Sequence, residues 1–417
     1  MEIWRRNLYI LMASQFLVMG AMSMIIPFLP LYLKDEMGVT DPEKTQLWAG
    51  LIFGINFLSA FVMAPIWGSL ADKVGRKIMV LRSGFGMTIV IFLMGLATSP
   101  LQLLILRLLN GTVSGFIPAS ISLVATNTPK ERTGYALGML QSGAVSGSIM
   151  GPFIGGIMAE VVDYRTIFSL TALMIGLATL VVTFAVKEVS KPEPAQERAG
   201  FLAEGSHIFH RKPLPILFSV GFMLQFAMLA PMPQMSLFVD QLGAPGGYLA
   251  FFAGLVTAVT GSANMLASPR LGRLGDQFGS DRVLFFAMLG AAVSFVPHAM
   301  VTSVWQLLVL RFLLGLCMGG LLPSLHSLIR KNAPRGKEST AYGYSTSAVF
   351  LGHMLGPITG GFLAGWIGIR GLFLLTAGLL VAGAFWLRSG LRRSAASESR
   401  RASSGSRHVS RRVVNSS

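Results

Sequence analysis

Residues Ala49 to Lys77 read AGLIFGINFLSAFVMAPIWGSLADKVGRK, and Ala253 to Asp281 read AGLVTAVTGSANMLASPRLGRLGDQFGSD. Each stretch is an apolar run that ends in a short charged loop set between glycines. At an offset of 204 residues Gly50 falls on Gly254, Pro65 on Pro269, Gly68 on Gly272, Asp72 on Asp276 and Gly75 on Gly279. QLLILRLLNG (Gln102 to Gly111) returns as QLLVLRFLLG (Gln306 to Gly315) at the same offset. At an offset of 205, GSIMGPFIGG (Gly147 to Gly156) returns as GHMLGPITGG (Gly352 to Gly361), and RTIFSLTA (from Arg165) as RGLFLLTA (from Arg370). Four matched blocks in one order mean an internal duplication.

Of the 417 residues 53% are hydrophobic and 12% charged, and the mean hydropathy is +0.63. A soluble protein of this size could not hide that much apolar surface. Apolar runs long enough to cross a hydrocarbon core of about 30 Å recur along the chain. They predict twelve spans, near 8–33, 46–70, 78–99, 101–124, 135–159, 164–187, 214–239, 247–269, 283–302, 304–329, 338–364 and 367–388. Backbone in lipid must satisfy its own hydrogen bonds, so the expected fold is an all-α membrane protein. The first run is too long for a signal peptide, contains Pro27 and Pro30, and lacks a clear cleavage site. The expected organisation is a six-helix bundle over 1–188, a linker over 189–213, a second bundle over 214–390 and a basic disordered tail over 391–417. Six spans per half give a parallel repeat, the plan of a transporter with its site between the halves.

The net charge is +16, but its distribution speaks against nucleic acid as a partner. With both termini cytoplasmic, 27 of the 34 Lys and Arg lie on that side, 4 lie outside, and Arg82, Arg107 and Arg311 lie within spans. This positive-inside asymmetry predicts a multi-pass protein of the bacterial plasma membrane with cytoplasmic termini. Arg82, near the end of its span, is expected to snorkel. The single cysteine, Cys317, excludes a disulfide framework. His207 and His210 have metal-like spacing without a further ligand nearby, so no metal is expected. No convergent set of catalytic groups and no G-x-x-x-x-G-K-[ST] loop occurs. An enzyme and an ATP-driven pump are therefore disfavoured.

Gly143, Gly147, Gly151 and Gly155 recur every four residues and share one helix face. Such a stripe allows close helix approach. Pro152 lacks the N–H that would bond the Ser148 carbonyl, so a kink is expected there. Gly352, Gly356, Pro357 and Gly360 repeat the device. The expectation is that spans 5 and 11 turn these bare faces to each other across the two halves, as a seal or as ordinary tight packing.

GSLADKVGRK (Gly68 to Lys77) resembles the signature loop of the major facilitator superfamily. Arg107 and Gly111 resemble its second motif, and the Gly–Pro–Gly–Gly stretch of span 5 resembles that of drug:proton antiporters. The resemblance covers nearly everything before the tail. It implies proton-driven efflux of amphipathic small molecules by alternating access, with no cofactor and the proton gradient as energy source; uptake or export of a specific metabolite is the alternative. It implies a conformational latch of Gly68, Asp72, Gly75 and Arg76, with Asp72 facing a helix N-terminus; Asp276 keeps the acid in the second half, while Ser280 and Asp281 replace the basic pair. It implies a coupling or substrate role for Arg107, with Gly111 beside it and Arg311 as its repeat mate.

An arginine in mid-span costs about 2.5–3.5 kcal/mol on insertion scales, which itself marks Arg107 as a functional candidate. No acidic residue lies deep in a span, so His353, inside the span 11 motif, is the candidate proton carrier. Met19, Met22, Asn56, Asn110, Gln141, Gln225, Met228 and Asn264 are the candidate cavity lining, soft and neutral enough to suit varied neutral or anionic amphipaths. The expected partners are such a substrate, protons and the bilayer, with a monomer as the unit.

Overall fold

A computed structural model of the chain describes residues 2–129, 132–188, 213–334 and 338–414. The side-chain surroundings of Pro65, Ser69, Asp72, Gly134, residues 338–340 and those after Arg393 lie outside that description. So do His207, His210 and all of the expected linker but Pro213.

Span 1 is Ile3–Met24 continued by Leu29–Asp35, span 2 Pro42–Val74 and span 3 Arg76–Gly95. Span 4 is Pro100–Val113 continued by Phe116–Asn127, span 5 Thr133–Val161 and span 6 Tyr164–Ala185. In the second half, span 7 is Leu214–Leu229 continued by Met235–Gln241, span 8 Leu249–Phe278 and span 9 Ser280–His298. Span 10 is Val304–Met318 continued by Leu321–Asn332. Spans 11 and 12 form one helical stretch, Glu338–Val414, broken at Gly368 (φ 72°, ψ 167°). Eleven described helices are long and apolar enough to cross a membrane. The last of them runs 53 residues, Ala341–Arg393, far more than the ~20 needed for one crossing, and Gly368 divides it into two. The chain is an all-α, multi-pass membrane protein.

Prolines and cap residues fix where the helices start. Asp41 accepts the Glu43 N–H ahead of Pro42, Ser99 the Gln102 N–H ahead of Pro100, and Asp163 the Thr166 N–H. The breaks obey the duplication. Span 1 bends around Pro27 and span 7 around Pro231, 204 residues later; span 4 breaks at Gly115 (φ 133°) and span 10 at Gly319–Gly320. Each half has its own apolar core. Phe28, Tyr32 and Phe168 anchor the first, and Phe238, Phe295 and Phe373 the second.

The tail corrects one expectation. Helical backbone continues through it to Val414 instead of ending near 391. Its Ala, Arg and Glu are good helix formers and no proline interrupts them.

The molecule has two opposite faces. The terminal face carries the N-terminus and the loops between spans 2 and 3, 4 and 5, and 8 and 9. The far face carries the loops after spans 1, 5 and 7.

Candidate functional site

The two halves meet along two seams. In one, span 2 packs on span 11. A Cβ on Gly50 would overlap the Pro357 carbonyl and come 3.1 Å from the Gly361 Cα, and one on Gly54 would strike Met354 and Ile358. In the other, span 8 packs on span 5. A Cβ on Gly254 would overlap the Pro152 carbonyl and come 3.1 Å from the Gly156 Cα, and one on Gly156 would strike Ala250 and Phe251. The seams are copies of each other through the duplication. Backbone lies on backbone, the geometry in which dispersion and Cα–H···O contacts hold helices together in lipid.

The four-residue glycine stripe is not what crosses between the halves. A Cβ on Gly143, Gly147, Gly151 or Gly155 would meet the backbone of Met12, Phe16, Gly20 or Met24, all on span 1 of the same half. Gly352, Gly356 and Gly360 likewise lie on Phe222, Phe226 and Ala230 of span 7. The expectation that spans 5 and 11 turn these stripes to each other is therefore corrected. Pro152 and Pro357 do sit at the halves' boundary, each facing a glycine of the opposite half.

The described cross-seam contacts all lie toward the far face. Gly68, Gly138 and Gly272, at the terminal ends of spans 2, 5 and 8, have open space where a Cβ would stand. At the far face Lys34 Nζ sits 2.7 Å from Asp240, Gln234 Nε2 donates to the Gln46 carbonyl (3.3 Å), and the Phe251 N–H donates to Glu160 (3.0 Å). Each joins one half to the other. The Asp240 hydrogen bond holds the Lys34 ammonium above its ordinary range. Glu160, from the end of span 5, meets the first turn of span 8, where a carboxylate complements the helix dipole. Sequence reasoning left this clasp unassembled.

His353 stands in the span 2–span 11 seam. Its ring lies edge-on to Phe57 of the opposite half (5.2 Å between centroids), with Phe350 at 5.9 Å, and its Nδ1 has no hydrogen-bond partner among the described residues.

Arg107 is 7% exposed, which excludes snorkelling; its Nε and one Nη have no hydrogen-bond partner among the described residues. One turn away, Asn110 donates to Asn56 Oδ1 of span 2 (2.9 Å). Gly111 packs on Asn56 and Ser59, and its mate Gly315 on Thr260 and Ala263 of span 8. These glycines are helix contacts within each half. Arg311 is half-buried and donates to the Met235 sulfur (3.0 Å).

Of the candidate cavity residues, the structure brings together only Asn56 and Asn110. Gln141 is exposed, and Met19, Gln225 and Asn264 are half-buried. Asn264 bonds Ser268 within its own helix (3.1 Å). Met22 and Met228 pack against the cores of their own halves.

At the terminal face the signature loop turns at Gly75 (φ 104°), and span 3 starts immediately after it. The anion at that helix start is Glu188, which accepts the N–H of Arg76 (2.9 Å) and of Lys77 (3.1 Å). A Cβ on Gly75 would lie 3.0 Å from the same carboxylate, so the glycine makes room for it. The Asp72 side chain lies outside the described residues, and Asp276 is exposed. In the second half Gly279 repeats the turn (φ 99°), with Asp281 in the first turn of span 9 beside it, while Ser280 bonds Ser327 (2.9 Å).

Arg82 also departs from expectation. Its guanidinium stacks 3.7 Å over Trp67 and donates to the Ser114 carbonyl (3.2 Å), the carbonyl freed by the break in span 4. A cation over an indole with a bare carbonyl in reach outweighs escape to the interface. Among the described residues no cluster of His, Cys, Asp or Glu could hold a metal.

The profile of the Major Facilitator Superfamily matches residues 11–265 and 247–414. The chain is similar to the multidrug resistance protein MdtG of Escherichia fergusonii, with 37% identity over 390 residues, 94% of this chain and 95% of that one. It is also similar to MdtG of Citrobacter koseri, with 37% identity covering 94% and 96%. Among solved structures it is similar to the nucleoside transporter NupG, with a TM-score of 0.76 at 15% identity covering 94% and 99%. A bacterial homologue of the human lysosomal transporter Spinster gives a TM-score of 0.76 at 16% identity covering 94% and 98%. Two duplicated bundles meeting along glycine seams, and a match of this extent, place the chain in the major facilitator superfamily, as a secondary transporter of small molecules and not an enzyme.

Proposed function

We propose that this transporter exports amphipathic compounds from a bacterial cytoplasm in exchange for protons. The observation that carries the alternating-access part is the pair of duplicated seams, tight toward one face and absent from the described contacts at the other. The terminal face is cytoplasmic in this reading, because it gathers 27 of the 34 basic residues. The molecule then rests sealed to the outside and open to the inside, and its membrane is the plasma membrane. One chain carries both halves, so the monomer is the working unit.

Efflux is favoured by the relatives, which are named as multidrug resistance proteins. Arg107 gives the substrate class a physical handle: a buried guanidinium with bare N–H donors suits a solute bearing an acceptor or an anionic group. His353 is the proton carrier in this reading, because an imidazole can take up and release a proton and this one stands in a seam that must part. No cofactor is needed. A 100 mV potential supplies about 2.3 kcal/mol per charge, and one pH unit about 1.4 kcal/mol. Together these sustain a gradient of a few hundred-fold per proton.

Everted vesicles with an imposed pH gradient and a panel of fluorescent amphipaths provide the test. Uptake should collapse with a protonophore, and Arg107→Ala should lose coupled transport while remaining folded. Pumping that persists without a pH gradient and follows sodium would refute the ion assignment. Counterflow that survives His353→Gln intact would move the carrier elsewhere, with Asp35 or Glu160 next.

A further inference from the structure

Away from the seams, span 1 carries two hollows that transport does not use. The first, about 160 Å³, lies at its terminal end between Trp4, Arg5 and Tyr9 and the start of span 5, Arg132 and Tyr135. The second, about 380 Å³, runs between span 1 and span 6 and is walled by Ile10, Ala13, Leu17, Ala178 and Val181. Tyr9 lines both.

The charge of the first hollow is positive. Arg5 leans over Trp4 (5.3 Å) and pairs loosely with Glu2 at 3.5 Å, while Glu2 itself accepts the Trp4 indole N–H (2.8 Å). Arg132 makes none of the described ion pairs and is exposed. Among the described residues, one cation therefore stands without an ion pair beside three aromatic rings of the kind that settle at headgroup level. The groove is apolar and faces lipid: on span 6 Leu177, Val181 and Phe184 are exposed. From Tyr9 to Leu17 the helix rises about 12 Å at 1.5 Å per residue. That depth fits within one leaflet of a core about 30 Å thick.

We propose that these two hollows form one binding site for an anionic phospholipid of the terminal-face leaflet. The phosphate sits between Arg132 and Arg5, the glycerol region against Tyr9 and Tyr135, and one acyl chain along the groove beside Ala13. A free anion satisfies the first hollow alone; the shared Tyr9 wall and the apolar groove select a lipid. Basic pockets between spans on the cytoplasmic side are the known setting for such headgroups. The site is independent of the identity of the exported solute.

The test uses the full-length transporter, delipidated in neutral detergent, with phosphatidylglycerol and phosphatidylcholine titrated in and bound lipid counted by native mass spectrometry. Phosphatidylglycerol should bind more tightly than phosphatidylcholine. Arg132→Gln should weaken it roughly fivefold, and the Arg5→Gln/Arg132→Gln pair further. Ala13→Phe, which fills the groove without changing charge, should weaken it as well. Arg330→Gln/Lys331→Gln, a basic pair at the end of span 10, should leave it unchanged, and inorganic phosphate should not compete. Size-exclusion profiles matching the wild type establish that each variant is folded. Undiminished phosphatidylglycerol binding by the double arginine variant or by Ala13→Phe overturns the site. So does an equal loss in the span 10 pair, which would mean bulk charge, or full competition by inorganic phosphate, which would mean a free-anion pocket.

Discussion

Alanine at position 254 adds one methyl group at a point where span 8 rests on the Pro152 carbonyl of span 5. Neither side of that contact is a flexible side chain, so the helices must separate. Inserting a methyl group into a packed interface costs about 1–3 kcal/mol. In the alternating-access reading the contact exists only while the far face is closed, and the cost then falls on that state alone. At 1.4 kcal/mol per factor of ten, the equilibrium should move toward far-face opening by roughly 5- to 150-fold. A reporter is available at Gln46, which is 6% exposed and lies in the other seam. In a Cys317→Ser background, Gln46→Cys should react with an impermeant maleimide from the far side only when that face opens. Adding Gly254→Ala should raise the labelling rate within the stated range, and Gly50→Ala at the matching contact should do the same with the reporter moved to span 5. An unchanged labelling rate in a stably folded Gly254→Ala protein would refute the seam as the closure.

Gly151→Ala acts differently, because Gly151 faces Gly20 and Ser23 of its own half and not the opposite half; it should lower the thermal midpoint without raising Gln46→Cys labelling. Glu160→Gln with Asp240→Asn removes two charges from the far-face clasp and should raise that labelling by up to roughly 30-fold, on the scale of about 0–1 kcal/mol for each exposed pair or dipole contact. Asp163 responds to pH in a fixed direction. Its bonds to the Thr166 hydroxyl and N–H hold the carboxyl below the usual range, so the stability it contributes is present above the unfolded value and lost as pH falls through the folded one. The difference in thermal midpoint between wild type and Asp163→Ala should therefore be full at pH 6 and shrink on acidification below about 4. A difference that grows on acidification would reverse the assignment.

Hydropathy made the spans legible because lipid forces the backbone into helices, and the duplication made the two halves legible because each block returns in order. The partner of each helix face was harder to read. Gly–Pro–Phe–Ile–Gly–Gly holds two glycine-bearing faces, and consecutive residues on a helix point about 100° apart, at 3.6 residues per turn. Gly151 and Gly155 therefore look to span 1 while Pro152 and Gly156 look to span 8. Spacing identifies a face but not what lies against it. Contacts between distant single residues leave no pattern at all: Lys34 and Asp240 are 206 positions apart, and Glu188 reaches Arg76 from 112 positions away. Arg82 was misread for a related reason. Its nearest way out was the interface, but the break in span 4 places a bare Ser114 carbonyl beside it, and Trp67 offers a ring face.

The far-face contacts differ in what they can do energetically. Lys34 and Asp240 are 44% and 38% exposed, so their pair contributes under about 1 kcal/mol. Glu160 at the start of span 8 adds about 0.3–1 kcal/mol, and the Gln234 bond to Gln46 about 1 kcal/mol. The three together amount to about 1–3 kcal/mol, comparable to the whole gap between two states when the minor one is populated at 0.1–10%. The clasp therefore cannot be what builds the seal, because the same bonds laid over a poorly fitting surface would hold nothing shut. The seams build it: Gly50 under Pro357 and Gly254 under Pro152 bring backbones close enough to exclude lipid and solute. The clasp decides how often that fit is abandoned. Removing the charge of Glu160 or Asp240 by substitution weakens the clasp and favours opening, whereas the contact between a glycine and a carbonyl carries no charge to remove. Closure and the balance between open and closed are thus separable in this fold, the first in residues with no side chain and the second in charged groups at the far face.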